Sequence, residues 1–390
     1  MVNADRVGSK ITMYTERKLN LNETLKKKSC FLLGPRQTGK SSLIRHDFTN
    51  HVVYNLLDSE TFLKLSHSPK KLREELQPGT KLIIIDEIQK IPSLLNEVHL
   101  MIEEYGVKFL LTGSSARKLR RGGVNLLGGR ALVKNIHPFS YSELKDKFDL
   151  LQAVNYGLLP PVFFSDEPEE ELKAYAGTYL KEEIAQEGLT RNVPAFSRFL
   201  EVAALCNGKL INYTNISNDA QVARSTVQEY FQILKDTLIA YEVTPWKKSK
   251  KRKPISTSKL YFFDVGVCRF LQNRSKTKMG SPEFGESFES FMFHEIKTYS
   301  DYNNCGEVNY WRSQSGFEVD FILQDTAIEV KATKTIGNHD LKGLLALSEE
   351  ENLKNYILVC LEDKERTIGK IKILPWEKFL KKLWSGEFID

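Results

Sequence analysis

Residues Ser29 to Phe48 read SCFLLGPRQTGKSSLIRHDF, and no other stretch constrains the fold as tightly. An apolar strand, a glycine-rich loop and a helix follow one another directly. The loop is Gly34-Pro35-Arg36-Gln37-Thr38-Gly39-Lys40-Ser41, followed by Ser42, and it fits GxxxxGK[ST] without departure. Its glycines let successive backbone N–H groups turn inward to phosphate oxygens. Lys40 brings a point charge to the β- and γ-phosphates, and Ser41 brings a hydroxyl to Mg²⁺. The helix behind them adds the positive end of its dipole. The expectation is an ATP site with Mg²⁺, lined by Gly34 through Ser42.

A second segment, KLIIIDEIQKIP, carries four apolar residues, Leu82 to Ile85, and then Asp86-Glu87. So short an unbroken Leu/Ile run reads as a buried parallel strand. Its acids stand at the carboxyl end, where α/β sheets bind ligands. Asp86 is suited to hold Mg²⁺ and Glu87 to polarise the attacking water. A third strand, VKFLLTGSSA, ends in Thr112, Ser114 and Ser115. Ser114 is preferred as the hydroxyl that senses the γ-phosphate, with a helix N-cap as the competing role. These features favour a sheet order with one strand between the phosphate-loop strand and the acidic strand. Further on, Arg130 follows two glycines and is a candidate arginine finger acting on a neighbouring subunit. Arg117, Lys118, Arg120 and Arg121 read as a solvated basic helix face or a contact to an acidic partner.

A chain of 390 residues has room for two to four units. No apolar run approaches a membrane span, and the N-terminus is too polar for a signal peptide. The five cysteines lie far apart with no CxxC, so neither a zinc site nor a disulfide framework is expected. A reduced, cytoplasmic protein without membrane attachment is the expectation. The net charge of +6 permits nucleic-acid binding without arguing for it.

The order along the chain is read as an N-terminal arm (1–25), an α/β phosphate-loop ATPase domain with a parallel sheet (26–150), a helical lid or connector (151–195), a winged helix-turn-helix (196–263) and a C-terminal α/β domain (264–390). In the winged-helix segment Ser225 with Gln228 reads as a capping box. Two strand-like runs flank KKSKKRKPISTS, whose Lys247, Lys248, Lys250, Lys251, Arg252 and Lys253 have a charge density suited to phosphate. DNA contact and a protein–protein spacer both fit this segment.

The last segment holds YWRSQSGFEVDFILQDTAIEVKAT. If Gln324-Asp325 form a two-residue loop, Leu323 pairs with Thr326 and Asp320 falls opposite Glu329, with Cβ atoms roughly 5 Å apart. Two carboxylates that close repel unless a divalent metal, Mg²⁺ or Mn²⁺, lies between them. Lys331, on the same face, is placed to orient a water or to neutralise a phosphorane-like transition state. In the preceding helix Glu295 falls within an apolar stripe and is the candidate third ligand, with Glu289 at the stripe's edge. A cross-strand ion-pair ladder is the alternative.

Asp320 followed by Glu329-x-Lys331 resembles the PD-(D/E)XK nuclease core, with Val319 where the motif has proline. The whole chain from about Asn20 resembles prokaryotic AAA-like ATPases that carry a C-terminal domain of unassigned function. GPRxxGKS, the acidic pair with Gln89, TGSSA, the later Gly129-Arg130 and FGExFExF…EVDF…EVKA recur there in this order. The resemblance implies an ATPase fused to a winged helix and a nuclease-like fold. The function expected is Mg-ATP hydrolysis coupled to binding or processing of nucleic acid, with DNA as the expected partner and a metal-dependent nuclease activity in the C-terminal domain. The alternative is a nucleotide-controlled switch or scaffold with a silent nuclease-like module.

Overall fold

In the computed structural model, which describes residues 6–7, 10–11, 14–115, 117, 126–180, 192–246 and 257–389, the run SCFLL becomes β1 (Ser29–Leu33), buried along its whole length. A buried strand must also pair the N–H and C=O groups along both of its edges. β1 finds its partners in β4 (Lys108–Gly113) and β5 (Ala131–Asn135), both parallel to it. β3 (Leu82–Asp86) and β2 (Val52–Asn55) complete a five-stranded parallel sheet in the order β2-β3-β4-β1-β5. One strand, β4, separates the phosphate-loop strand from the acidic strand, the expected order. Helices α1 (Leu21–Lys27), α2 (Lys40–Asp47) and α3 (Leu94–Tyr105) belong to the same unit. This unit comprises Met1–Phe139 with Glu143–Asp146.

The second unit, Ser140–Ser142 with Lys147–Asp390, differs from the three bodies expected in its span. The acidic stretch is helical over Pro168–Leu172 and continues as a π-helix over Lys173–Tyr179; residues 181–191 of the expected lid lie outside the described residues. α4 (Val193–Leu205), α5 (Tyr213–Ala220) and α6 (Arg224–Asp236) form the expected helical trio. Phe196, Phe199, Tyr230 and Phe231 meet in its core with ring centroids 5.0–5.7 Å apart. α6 begins two residues earlier than the capping-box reading requires: Ala223 is its N-cap, and Ser225 is its second residue.

The two strands expected to form a wing are β6 (Ala240–Pro245) and β7 (Lys259–Phe262). They do not stand apart with the helices. β8 (Asn309–Arg312), β9 (Glu318–Leu323), β10 (Thr326–Val330), β11 (Asn355–Cys360), β12 (Arg366–Ile368) and β13 (Ile371–Pro375) join them in one mixed sheet, ordered β12-β13-β11-β10-β9-β8-β6-β7. The link is a parallel pairing of β8 with β6, in which Asn309 lies beside Thr244. The expected boundary at 263/264 therefore runs through a continuous sheet. Its helices include α7 (Val265–Leu271), α8 (Pro282–Asn303), α9 (Lys342–Glu350) and α10 (Trp376–Trp384). Among the described residues no helix is long and apolar enough to cross a membrane.

One close approach fixes the head of β9. A Cβ at Gly343, in α9, would drive into the Glu318 carbonyl oxygen. Backbone meets backbone there, so no flexible side chain can yield. Gly343→Ala is expected to destabilise the protein by about 2–3 kcal/mol, measured as a lowered denaturant midpoint with an unchanged m-value.

Candidate functional site: a phosphate loop and a buried carboxylate hairpin

The phosphate loop leaves β1 at Gly34, where a side chain would collide with the Ile136 carbonyl and side chain. Gly39 has φ +96°, a left-handed conformation that glycine adopts without cost, and it caps α2. Lys40 is buried, and its ammonium donates to the carbonyls of Gly34 (2.7 Å) and Pro35 (3.0 Å). Ser41 Oγ donates to Asp86 Oδ2 at 3.1 Å, and the Thr112 hydroxyl donates to Asp86 Oδ1. A hydroxyl and a carboxylate thus stand side by side at the head of α2 and the carboxyl end of β3. This all-oxygen donor pair suits a hard cation such as Mg²⁺.

Glu87 takes φ +62°, a left-handed backbone uncommon for a residue with a side chain. Its N–H donates to Thr112 Oγ1 at 3.3 Å, and its carboxylate accepts from the Gln89 amide. The same amide donates to Ser114 Oγ at 3.1 Å. Gln89 is buried, and Gly113 leaves it room: a Cβ there would lie 2.5 Å from Gln89 Oε1. Burial raises the Glu87 carboxyl above its ordinary value, and Asp86 adds to the effect; Lys40, Arg36 and the Gln89 hydrogen bond oppose it. Ser114 thus meets Glu87 through Gln89. Among the three hydroxyls at the end of β4, Thr112 holds Asp86, and Ser115 Oγ accepts from the Arg117 N–H at 3.0 Å.

Arg130 stands at the start of β5, where Ala131 pairs with Ser29, the first residue of β1. The phosphate loop leaves the other end of β1, roughly 13 Å along the strand. The Arg130 guanidinium is paired with Glu103 of α3. Arg117, expected on a solvated basic face or against an acidic partner, is buried. Lys118, Arg120 and Arg121 lie outside the described residues, as do Lys247, Lys248, Lys250, Lys251, Arg252 and Lys253 of the basic run.

In the second unit, Leu323 pairs with Thr326 and Phe321 with Ile328, so the hairpin has the register that a Gln324-Asp325 loop demands. Gln324 supplies the positive φ (+50°) of such a turn. Asp320 and Glu329 are buried and interlocked: Asp320 N–H donates to Glu329 Oε2 at 3.3 Å, and Val330 N–H donates to Asp320 Oδ2 at 2.9 Å. Lys331 is ion-paired with Glu329. Burial, and then the charge of Asp320, push the Glu329 carboxyl well above the carboxylate range.

Glu295 is not part of this group. Its Oε1 accepts the Tyr141 N–H at 2.7 Å and its Oε2 accepts the Trp384 indole N–H at 2.8 Å. The helix acid beside Asp320 is Glu289, six residues earlier, whose carboxylate accepts from the Tyr261 hydroxyl at 2.6 Å. Its carboxyl is raised by burial and by Asp320. Six residues turn a helix by about 240°, so the two glutamates face different ways. The apolar stripe that singled out Glu295 misleads because α8 is buried on nearly every side.

Lys259, at the head of β7, was not expected here. Its ammonium pairs with Glu318 and lies 3.9 Å from Asp320 Oδ1. Burial opposes its charge, but Asp320, Glu289 and Glu318 together outweigh that and raise its pKa. A lysine opening an apolar strand was the available signal. Among the described residues no three His, Cys, Asp or Glu side chains are grouped to hold a metal. Asp320 and Glu329 form a carboxylate pair with lysine partners.

Residues 26–145 match the family of an AAA domain. Residues 147–278 and 284–379 match two domains of unknown function, DUF8612 and DUF4143. An uncharacterized protein of Mycobacterium tuberculosis is 26% identical over 316 residues, covering 78% of this chain and 70% of that protein. An uncharacterized protein of Methanocaldococcus jannaschii is 23% identical over 426 residues, covering 92% and 85%. Among solved structures, the Orc1 protein of Aeropyrum pernix in complex with DNA is 14% identical, with coverage of 65% of this chain and 90% of that one and a TM-score of 0.25. A signal transduction ATPase with numerous domains from Pyrococcus horikoshii, which carries a tetratricopeptide repeat sensor, is 17% identical, with coverage of 78% and 49% and a TM-score of 0.24. This chain thus spans about half the length of the Pyrococcus protein. Neither likeness reaches the level at which a shared fold follows. The AAA match and the phosphate-loop geometry agree on the first unit: it is an AAA-like, ATP-binding domain.

The Gln89 hydrogen bond lowers the Glu87 pKa against a larger upward push from burial. Removing it must therefore raise that pKa further. In Gln89→Leu the acid limb of the pH profile of ATP turnover is expected to move to higher pH, with ATP affinity little changed. A limb at the wild-type position contradicts this role for Gln89.

Proposed function

We propose that the protein hydrolyses Mg-ATP and couples hydrolysis to binding or processing of nucleic acid. One observation carries the first part: Asp86 holds Ser41 and Thr112 with its two oxygens, beside a Glu87 that Gln89 ties to Ser114. Ser41 and Asp86 would hold Mg²⁺, which supplies positive charge against the phosphates. The N–H groups of residues 34–42 and Lys40 bind and orient the triphosphate. Glu87, with its raised pKa, accepts the proton of the attacking water. Ser114 reports the state of the γ-phosphate to Glu87 through Gln89.

The position of Arg130 at the opposite end of the sheet from its own phosphate loop supports a role in trans. A second copy of the chain would present Arg130 to this site, and the Glu103 pair would hold it until then. Lys40→Ala is expected to abolish ATP binding. Glu87→Gln should bind ATP and lose turnover by roughly 10²-fold or more; wild-type turnover in that variant removes the assigned base. Arg130→Ala should lower turnover only at concentrations where wild type self-associates, and an active wild-type monomer would sink the finger.

The nucleic-acid part rests on the basic run Lys247–Lys253 and on the nuclease-like order Asp320, Glu329, Lys331. Asp320 and Glu329 would hold a divalent cation, which supplies a Lewis acid at a scissile phosphate, with Lys331 beside it. A second reading makes this module a silent binding fold. It is favoured by the lysines that already neutralise the carboxylates and by the engagement of Glu295 elsewhere. End-labelled single-stranded, duplex and branched DNA, incubated with Mg²⁺ or Mn²⁺ and ATP, separates the two. Cleavage by wild type and not by Asp320→Ala/Lys331→Ala supports the first reading. No cleavage of any substrate supports the second.

A further inference from the structure

The phosphate loop has a partner outside the motif. Arg17, in the segment before α1, is buried, and its guanidinium donates to four acceptors, the longest contact being Nη2 to the Pro138 carbonyl at 3.4 Å. Nη1 donates to the Thr38 carbonyl at 2.7 Å. Nη2 donates to the His137 carbonyl at 2.6 Å. Nε donates to Glu143 Oε1 at 3.0 Å, and both side chains of this ion pair are shielded from water. The cation stands 5.0 Å from the centre of the Phe139 ring. Glu143 Oε1 also accepts the Lys18 N–H at 2.8 Å, which fixes the arm in place.

The Thr38 contact bears on phosphate binding through peptide geometry. In a trans peptide the C=O and the following N–H point in opposite directions. Holding the Thr38 carbonyl on Arg17 turns the Gly39 N–H the other way, into the loop where phosphate oxygens sit. Gly39 adopts φ +96°, so nothing in its own side chain sets that orientation. The His137 contact gives Arg17 a second end. Residue 136 already abuts the loop, since Ile136 N–H donates to Leu33 O at 2.8 Å and its carbonyl closes the space over Gly34. Arg17 therefore joins the loop's last turn to His137, Pro138 and Glu143 of the same unit.

We propose that Arg17 is a positioning residue that orients the Thr38–Gly39 peptide for phosphate binding and makes residues 137–139 and Glu143 respond to ATP. The fork of the guanidinium is the requirement, because one planar group must reach the carbonyls of Thr38, His137 and Pro138 and the Glu143 carboxylate together. The inference rests on the reading of this loop as an ATP site.

Three proteins test it: wild type, Arg17→Lys, and the charge-balanced Arg17→Met/Glu143→Leu, which leaves no buried charge alone. Circular dichroism and melting without nucleotide check that each is folded. Titration with a fluorescent ATP analogue should give a dissociation constant roughly 10-fold weaker in Arg17→Lys, the loss of one charge-assisted hydrogen bond. Hydrogen exchange should show the amides of His137, Phe139 and Glu143 protected by ATP in wild type. In both variants, at saturating nucleotide, that protection should be absent. Wild-type affinity and wild-type protection in a folded Arg17→Lys protein overturn the inference and leave the ATP site standing. A wild-type protein that binds no ATP overturns the ATP reading and this one with it.

Discussion

A loop that aims its N–H groups at phosphate turns its carbonyls outward, and each of those needs a donor. That requirement organises the first unit. Lys40 serves the Gly34 and Pro35 carbonyls, the Thr38 hydroxyl donates to the Pro35 carbonyl, and Arg17 serves the Thr38 carbonyl. The parallel sheet supplies the rest: it brings the ends of β1, β3 and β4 to one edge, so that Ser41, Asp86, Thr112 and Ser114 meet there. The left-handed backbone at Glu87 is consistent with strain held at a working site. The surrounding network of Thr112, Gln89 and Ser114 holds it.

The second unit meets a different constraint. Glu289, Glu318, Asp320 and Glu329 crowd one region of a buried sheet, and like charges there are costly. Lys259 and Lys331 offset them, one from strand β7 and one from just beyond β10. Joining the β6–β7 pair to the C-terminal strands through β6 and β8 is what brings Lys259 to the carboxylates. The helices of the expected winged fold and the carboxylate hairpin are therefore parts of one body.

Much of this was legible in the sequence wherever a local pattern fixes geometry. The strand–loop–helix of the phosphate loop, the apolar run before Asp86 and the two-residue turn of the hairpin each dictate a register within a few residues. The readings that failed needed knowledge of distant neighbours. Glu295 was picked from a one-sided stripe, but α8 is covered on nearly all sides, so its helical phase carried no direction. Lys259 falls in a separate wing on the sequence reading because strand pairing across 65 residues, Thr244 with Asn309, leaves no local mark. Arg17 sits in a polar segment whose partners, Thr38, His137, Pro138 and Glu143, are 21, 120, 121 and 126 residues away. Ser225 looked like a cap, but α6 had already begun at Arg224.

The central claim is that Ser41 and Asp86 form a Mg²⁺-dependent ATP site at the edge of the parallel sheet. Calorimetric titration of ATP into wild type and Ser41→Ala, each with Mg²⁺ and with EDTA, tests it most directly. Wild type should bind ATP more tightly with Mg²⁺, and Ser41→Ala should lose most of that difference while staying folded. Wild-type binding that ignores Mg²⁺, or a Ser41→Ala protein with the full Mg²⁺ effect, would contradict it.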